Sequence, residues 1–144
     1  MVVNELMTTN VSFVKEQALI RDAVNLMRQY DIGCVPVCND LGELVGITTD
    51  RDLLTRALYK QDTDVLSQPV ADIMTKEVHT ITPDVDIHTA ALAFSKHAIH
   101  RLPVLQRNRL VGILSISDLA KKKIYLAEVG CIIGAITHEK YTKK

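Results

Sequence analysis

Residues Gly46–Asp52 read G-I-T-T-D-R-D, and residues Gly112–Asp118 read G-I-L-S-I-S-D. Both stretches follow Leu-Val and precede a leucine, so they share the frame L-V-G-I-x-[T/S]-x-x-D-L. An apolar run that ends in glycine and continues with a hydroxyl residue and an acid predicts a strand, a tight turn and the start of a helix. Thr49 and Ser115 lie at the expected N-cap, and the acid of each stretch follows three positions later on the same helix face.

The start of each such helix combines a hydroxyl group, free backbone N–H groups and a carboxylate. The free N–H groups can hold a phosphate. A carboxylate beside them can accept hydrogen bonds from ribose hydroxyls, as the acidic residue of dinucleotide-binding folds does. The stretches therefore predict ligand contacts at Thr49, Asp52, Ser115 and Asp118. The alternative is that the hydroxyls are plain helix caps and the acids complement the helix dipole.

These stretches belong to a longer internal repeat. A shift of 67 positions aligns identical residues in the two halves: Met7/Met74, Thr8/Thr75, Val11/Val78, Ile20/Ile87, Ala23/Ala90, Ile32/Ile99, Pro36/Pro103 and Val37/Val104. From Leu44 onward the shift is 66, because one residue is lost in the preceding turn. Each copy predicts the order strand, helix, strand, strand, helix.

The hydrophobic spacing places these elements along the chain. Amphipathic helices are expected to begin at Ile20 and Ile87. The expected strands are Val11–Val14 and Val78–Ile81, Cys34–Cys38 and Arg101–Leu105, and Leu44–Thr48 and Leu110–Leu114. The second strand of each copy contains proline, which has no N–H donor. That strand should therefore lie at a sheet edge, or its proline position should face something other than its neighbour.

The repeat also predicts how the chain is divided. The expected organisation is a first repeat at 4–60, a linker with a short helix at 61–73, a second repeat at 74–123 and a helical tail at 124–144. In the tail, Leu126 and Ile133 continue a seven-residue spacing from Leu119, and Val129 and Ile136 share that spacing, which is typical of a coiled-coil seam. We expect this helix to lie on the body of the protein or on a partner subunit.

Composition limits the classes of function. The chain is 47% hydrophobic and 24% charged, as is ordinary for a soluble globular domain. Its formal net charge is zero, whereas nucleic-acid binders usually carry a basic excess, so no nucleic-acid partner is expected. No apolar run approaches the roughly 18 residues of a membrane span, and the N-terminus lacks the pattern of a signal peptide. The odd number of cysteines, three, argues against a disulfide framework and for a cytoplasmic location.

Cys34 and Cys38 flank Pro36 in an expected strand and could be mistaken for a metal-binding pair. Residues four apart in a strand are separated by about 13 Å, at about 3.3 Å per residue. One zinc ion with bonds of about 2.3 Å to each sulfur does not span that separation. We therefore expect buried structural thiols and no metal site.

The repeated unit begins with Met-Thr, contains an x-Pro-Val strand and ends with G-h-x-[T/S]-x-x-D, and in this it resembles the cystathionine-β-synthase (CBS) domain. Two copies in tandem resemble a Bateman module, as in stand-alone bacterial and archaeal proteins and in the CBS pair of inosine-5'-monophosphate dehydrogenase. The resemblance implies an α/β (α+β) fold of two β-α-β-β-α repeats, packed as a pseudo-twofold pair with facing small sheets. It also implies adenosine-binding clefts between the repeats and a homodimer of stacked modules.

The resemblance assigns roles to particular residues. Thr49 with Asp52, and Ser115 with Asp118, match the hydroxyl and the ribose-binding acid of the family motif. Main-chain groups of the first strand and of the x-Pro-Val strand usually hold the adenine in this family. In this sequence those positions are Thr80, Thr82, Val35 and Leu102.

The basic residues differ between the repeats. His100 and Arg101 match the H-R-x-P-V strand of nucleotide-sensing members, in which the basic pair faces phosphates, whereas the first repeat has Gly33 and Cys34 there. The first repeat instead carries Arg51 beside its motif acid. We therefore expect the two sites to differ in their affinity for a ligand. The alternative for each basic residue is that its side chain is simply solvated and contacts no phosphate.

The expected function is a regulatory binding module that senses AMP, ADP or ATP and requires no cofactor. An enzyme is not expected, because catalysis in the dehydrogenase belongs to a barrel domain and this sequence offers no nucleophile–base pair at a defined site. Two alternatives stay open. The clefts could bind S-adenosylmethionine or NAD, or they could be vestigial in a structural dimer whose tail recruits a partner. The downstream partner is not identified by the sequence.

Overall fold

The computed structural model describes residues 1–60 and 64–142, which divide into two compact units. The first unit comprises Ser12–Val78 and Asn108–Leu110, and the second comprises Met1–Val11, His79–Arg107 and the chain from Val111 onward. Residues 61–63 of the expected linker and residues 143–144 of the expected tail lie outside the described residues.

The elements follow the predicted order, except that the expected strand Val78–Ile81 is wrong and only an isolated bridge at Ile81 forms there. The helices are α1 (Val3–Leu6), α2 (Ile20–Tyr30), α3 (Asp50–Asp52), α4 (Ile87–His97), α5 (Ile116–Ala120) and α6 (Leu126–Thr142). The strands are β1 (Val14–Lys15), β2 (Cys34–Cys38), β3 (Leu44–Thr49), β4 (Arg101–Gln106) and β5 (Arg109–Ser115). After α3 the chain continues as a π-helical turn at Leu53–Ala57 and a 3₁₀ turn at Leu58–Lys60, and further 3₁₀ turns lie at Val65–Ser67, Val70–Asp72 and Lys123–Tyr125.

The first unit contains a three-stranded sheet in the order β1-β2-β3, so Pro36 lies in the central strand and the edge position expected for it is wrong. Pro36 faces Ile47 of β3. Ile47 exchanges its two backbone hydrogen bonds with Thr75 instead (2.9 and 2.8 Å), so no donor is needed from the proline. The parallel strand β1 pairs only with Val37 and Cys38, so the expected strand Val11–Val14 is correct only at Val14.

Each Met-Thr segment packs on the glycine-containing strand of the other repeat. In the first unit Thr75 pairs with Ile47, and in the second unit Thr8 pairs with Ile113. A Cβ atom at Gly46 would lie 2.6 Å from Met74 Sδ, and one at Gly112 would lie 2.6 Å from Met7 Sδ. Glycine is therefore required in the motif because another segment crosses directly over it, and the compact units do not coincide with the sequence repeats.

The second unit contains the two-stranded β4-β5 sheet, and Ile81 joins β4 through a single parallel bridge to Val104. Its core contains large, fully buried side chains: Phe94, Leu102, Leu114, Leu119 and Ile132. The described residues therefore form two small sheets with helices, and the expected α/β class is confirmed. None of the helices in this part of the chain combines the length and the apolar character that a membrane span requires.

The tail helix α6 packs against α4 and α5 of the second unit. Val129, Ile132 and Ile136 provide this contact. The expected seven-residue seam is only partly correct, because Leu126 and Ile133 are 53% and 47% exposed. The 3₁₀ turn at Lys123–Tyr125 separates α5 from α6, so the spacing from Leu119 does not continue along one helix.

Candidate functional site

In the second unit, the end of β5 forms a capping box with α5. The Ser115 N–H and the Ser115 Oγ–H donate to Asp118 Oδ2 at 2.8 and 2.9 Å, and the Asp118 N–H donates to Ser115 Oγ at 3.3 Å. This arrangement satisfies backbone donors that a helix start leaves free. The predicted N-cap position of Ser115 is confirmed.

The other carboxylate oxygen of Asp118 is less constrained. Among the described residues, this oxygen, Oδ1, forms an ion pair with Lys121, whose Nζ lies 3.5 Å away. The Lys121 side chain is 75% exposed, so this ion pair is weak and a ligand can replace it at little cost. Asp118 itself is buried, and its position is held by the capping box.

The first unit has the same capping box, with Thr49 as the N-cap. The Thr49 N–H donates to Asp52 Oδ2 at 3.0 Å, and the Asp52 N–H donates to Thr49 Oγ1 at 3.1 Å. Asp52 has further partners, because Thr75 Oγ1 lies 3.4 Å from both of its oxygens and Arg56 Nε lies 3.5 Å from Oδ1. Arg56 is anchored in turn by the carbonyl oxygens of Ile73 and Met74 at 3.3 and 3.2 Å. Asp52 thus has more side-chain partners within its unit than Asp118 has.

The residue after each N-cap also differs between the units. In the first unit it is Asp50, whose Oδ1 accepts the Arg51 N–H at 2.9 Å and whose side chain is exposed. A Cβ atom at Gly33 would lie 2.9 Å from Asp50 Oδ2, so the glycine makes room for this carboxylate. In the second unit the corresponding residue is the buried Ile116. The helix start of the first unit therefore carries an additional carboxylate and an additional cation, Arg51, where the second unit has the uncharged Ile116 and Ser117.

The basic pair lies beside the capping box of the second unit. The carbonyl oxygen of His100 accepts the Ile116 N–H at 3.3 Å, which joins the start of β4 to the start of α5. The side chains of His100 and Arg101 are exposed. In the first unit the Gly33 carbonyl accepts the Asp50 N–H at 3.0 Å in the same way, but no basic side chain follows it in β2. Arg51 is exposed there.

The positions expected to contact adenine fall into two groups. Val35 and Leu102 are fully buried, so only their main chains could meet a ligand. Thr80 and Thr82 are exposed and flank Ile81, whose N–H donates to the Pro103 carbonyl at 3.1 Å. Thr82 Oγ1 donates to Asp84 Oδ1 at 2.6 Å, and this hydrogen bond lowers the pKa of the Asp84 carboxyl.

Two histidine rings stack next to Thr80. The centroids of His79 and His97 are 3.6 Å apart and their planes differ by 15°. Burial, and then repulsion from His79 and from Lys96, lower the pKa of His97. The stack joins the segment before Ile81 to the end of α4, and the neutral form of His97 is favoured there.

The two cysteines of β2 are buried thiols that form no disulfide bond, as predicted. Burial raises the pKa of Cys38, which makes its thiolate form less accessible.

Sequence reasoning missed three side chains that contact the motif acids. Lys121 and Arg56 lie three and four positions after Asp118 and Asp52, and this helical spacing could have identified them. Thr75 lies 23 positions from Asp52, and no local pattern connects the two.

A family model described as "CBS domain" matches residues 3–59 and 70–125. The CBS domain-containing protein YhcV of Bacillus subtilis is 34% identical over 137 residues, which cover 95% of this chain and 96% of that protein. An inosine-5'-monophosphate dehydrogenase of Aquifex aeolicus is 33% identical over 121 residues, which cover 83% of this chain and 24% of the enzyme. The expected similarity to stand-alone CBS proteins and to the dehydrogenase's CBS region is therefore confirmed.

A solved structure is similar across most of the chain. The CBS domain pair of protein MJ0100, in complex with 5'-methylthioadenosine and S-adenosyl-L-methionine, has a TM-score of 0.73 and 25% identity, and the match covers 84% of this chain and 94% of that chain. CBS pairs are commonly ligand-binding regulatory modules, and that one binds adenosine-containing ligands.

Proposed function

This chain belongs to the CBS domain family, and we propose that it is a regulatory module that binds an adenine nucleotide at the capping box of its second unit. The proposal depends chiefly on one observation. Asp118 is fixed by its capping box, while its Oδ1 faces only the exposed Lys121 among the described residues. A ribose hydroxyl can donate to this oxygen without disturbing the helix cap.

The charges around this site favour a phosphorylated ligand. Exposed His100 precedes β4 and exposed Arg101 begins it, and the exposed Lys121 lies 3.5 Å from the motif acid. Cationic and hydrogen-bonding side chains of this kind hold phosphate groups through charge-assisted hydrogen bonds. Exposed Thr80 and Thr82 and the backbone at Leu102 are proposed to orient the adenine. AMP, ADP and ATP fit this arrangement, and binding should depend on the number of phosphates.

The first unit suits an anionic ligand less well. Asp52 already contacts Thr75 and Arg56, and the exposed carboxylate of Asp50 repels phosphate and offsets the charge of the neighbouring Arg51. The same carboxylate favours a cation. The sulfonium group of S-adenosylmethionine is therefore the second candidate, at Thr49 and Asp52, and the liganded MJ0100 pair supports this candidate.

We further propose that the protein acts as a cytoplasmic homodimer without catalytic activity. The ligand would shift the balance between two dimer states, and this requires that the ligand bind the two states with different affinities.

Calorimetric titration of the intact protein with AMP, ADP, ATP and S-adenosylmethionine tests the proposal, after mass spectrometry of any ligand that co-purifies. Asp118→Asn and Asp52→Asn form the matched pair of variants. Asparagine keeps an oxygen for the capping N–H but loses the charge. A hydrogen bond to a charged group contributes about 1.5–3 kcal/mol, so Asp118→Asn should weaken nucleotide binding roughly 10- to 100-fold.

Asp52→Asn should leave nucleotide affinity within about threefold of wild type, since Asp52 lies outside the proposed nucleotide site. Equal losses in both variants would contradict the assignment to the second unit. Binding of S-adenosylmethionine that Asp50→Asn weakens would support the second candidate. If none of the four compounds binds wild type at millimolar concentration, the sensor proposal is wrong and the structural-dimer alternative takes its place.

A further inference from the structure

The stacked rings of His79 and His97 lie between two segments that carry proposed ligand contacts. His79 directly precedes Thr80, and His97 is the last residue of α4, three positions before His100. The two ring centroids are 3.6 Å apart and the ring planes differ by 15°. The stack therefore connects the segment that is proposed to orient adenine with the segment that is proposed to hold phosphate.

The backbone beside His79 has few other contacts that fix its position. A single parallel bridge joins Ile81 to β4, in which the Ile81 N–H donates to the Pro103 carbonyl at 3.1 Å and the Leu105 N–H donates to the Ile81 carbonyl at 2.8 Å. Among the described residues, no backbone hydrogen bond involves His79 or Thr80, and both are exposed. The position of Thr80 therefore depends on the ring contact of the residue before it.

The end of α4, on which the His79 ring packs, is held more firmly. The Ala98 N–H donates to the Phe94 carbonyl and closes the last turn of the helix, and the Ile99 N–H donates to the same carbonyl at 3.2 Å. The Phe94 side chain is fully buried in the core of the second unit. His97 is therefore fixed by the core, and it can position the segment that begins at His79.

The groups around His97 oppose its protonation. Burial lowers the pKa of His97, and the charges of His79 and of Lys96 in its own helix lower it further. Helix α6 also packs against α4, but its Glu128 pairs with His88 at 2.9 Å, near the beginning of α4. Among the described residues, no carboxylate forms an ion pair with His97. Protonation of both stacked rings would place two positive charges 3.6 Å apart, and these would repel each other.

We propose that the stacked histidines are a proton-sensitive switch: the neutral stack holds Thr80 and the start of β4 in the arrangement that binds nucleotide, and protonation separates the rings. This inference depends on the proposed nucleotide function and adds a regulation of the same site. His79 and His97 are positioning residues, because they act through Thr80 and His100 and do not touch the ligand. Nucleotide affinity should then fall as the pH drops below about 6.5, the range in which histidine gains its proton.

The test compares the intact wild-type protein with three variants, by calorimetric titration with ATP at about one pH unit above and one below the ordinary histidine pKa. His97→Phe keeps a ring that can stack on either form of His79 but cannot itself be protonated. His97→Ala removes the stack at every pH. His138→Phe is the matched control, since His138 is an exposed histidine of α6 that takes part in no ring stack among the described residues. His100 and the phosphates of ATP also titrate, but they are the same in all four proteins.

On going to the lower pH, wild type and His138→Phe should lose about three- to tenfold more ATP affinity than His97→Phe loses. The reason is that apparent affinity falls with the fraction of molecules in the binding-competent state. His97→Ala should bind ATP more weakly than wild type already at the higher pH, and His97→Phe should restore that affinity. The same dependence on pH in wild type and His97→Phe would overturn the switch, as would a His97→Ala variant that binds like wild type at the higher pH.

A measurement without ligand separates failure of the switch from failure of the nucleotide site. The protection factor of the Ile81 amide against hydrogen exchange reports the bridge to Pro103 and corrects for the intrinsic effect of pH on exchange. It should fall about threefold or more at the lower pH in wild type and stay constant in His97→Phe. If this occurs while ATP binds none of the proteins, the nucleotide site is wrong and the switch is supported. If the protection factor behaves alike in both proteins while ATP binds, the switch is overturned and the nucleotide site stands.

Discussion

Replacement of Gly46 by alanine tests whether the motif requires glycine because the Met74-Thr75 segment crosses over it. An added Cβ would lie 2.6 Å from Met74 Sδ, 2.9 Å from Met74 Cγ and 3.0 Å from the backbone oxygen of Thr75. The methionine can move, but Thr75 is held by its two hydrogen bonds to Ile47 at 2.9 and 2.8 Å. The strand therefore has to shift, or those hydrogen bonds have to lengthen.

The expected change in the free energy of unfolding is the sum of two opposed contributions. Excess packing in a well-packed core costs about 1–3 kcal/mol. Restriction of the unfolded chain by alanine recovers about 0.4–1 kcal/mol. We therefore expect a net loss of about 1–2 kcal/mol in the free energy of unfolding, or roughly 2–8 °C in Tm for a protein of this size.

Urea and thermal unfolding, followed by circular dichroism at neutral pH, measure this loss. Gly130→Ala in α6 is the matched control, because a Cβ there meets no atom within 4 Å. It should stabilise the protein by about 0.5–1 kcal/mol through helix propensity alone. The double variant Gly46→Ala/Met74→Ala should be more stable than the sum of the single losses, by roughly 0.5–3 kcal/mol. The steric explanation would be contradicted if the losses of unfolding free energy in the two single variants simply added in the double variant. It would also be contradicted if Gly46→Ala were as stable as wild type.

Three further effects are expected. Ser115→Ala should lower the free energy of unfolding by about 0.5–2 kcal/mol through loss of the helix cap, measured by urea unfolding, and an unchanged midpoint would contradict the cap. Thr48→Val should stabilise the protein by roughly 1 kcal/mol, because the buried Thr48 hydroxyl has no hydrogen-bond partner among the described residues and the second repeat has Leu114 there. A Tm lower than that of wild type would count against this. Burial and the stacked His79 lower the pKa of His97, so the folded state binds fewer protons than the unfolded state. Stability should then be fully present above pH 6.5 and fall as the pH drops below it, and His97→Phe should flatten the profile of Tm against pH.

Much of the local structure could be predicted because its causes lie within a few residues. The three-residue spacing from Thr49 to Asp52 and from Ser115 to Asp118 is the spacing of a capping box, and both boxes form as the frame predicts. Alternation and helical periodicity placed Cys34–Cys38 and the starts of α2 and α4 correctly. The motifs shared by the two copies carried the resemblance to the family, since these motifs can be read from the sequence alone.

The contacts between segments that are far apart in sequence could not be predicted and are seen only in the tertiary structure. That Met74 crosses Gly46, and Met7 crosses Gly112, depends on contacts between residues far apart in sequence, for which periodicity gives no signal. The same kind of contact permits a proline in the central strand, because Ile47, which faces Pro36, forms its backbone hydrogen bonds with Thr75.

The difference between the two candidate sites arises partly from the sequence and partly from folding. The sequence alone shows that His100 and Arg101 have no basic counterparts at Gly33 and Cys34. Folding brings Thr75 and Arg56 to Asp52, whereas Asp118 pairs with the exposed Lys121. Folding likewise packs α6 against α4 and α5 of the second unit. Such contacts could not be predicted, because burial and side-chain pairing depend on the whole packed unit, whereas caps and periodicity depend on neighbours along the chain.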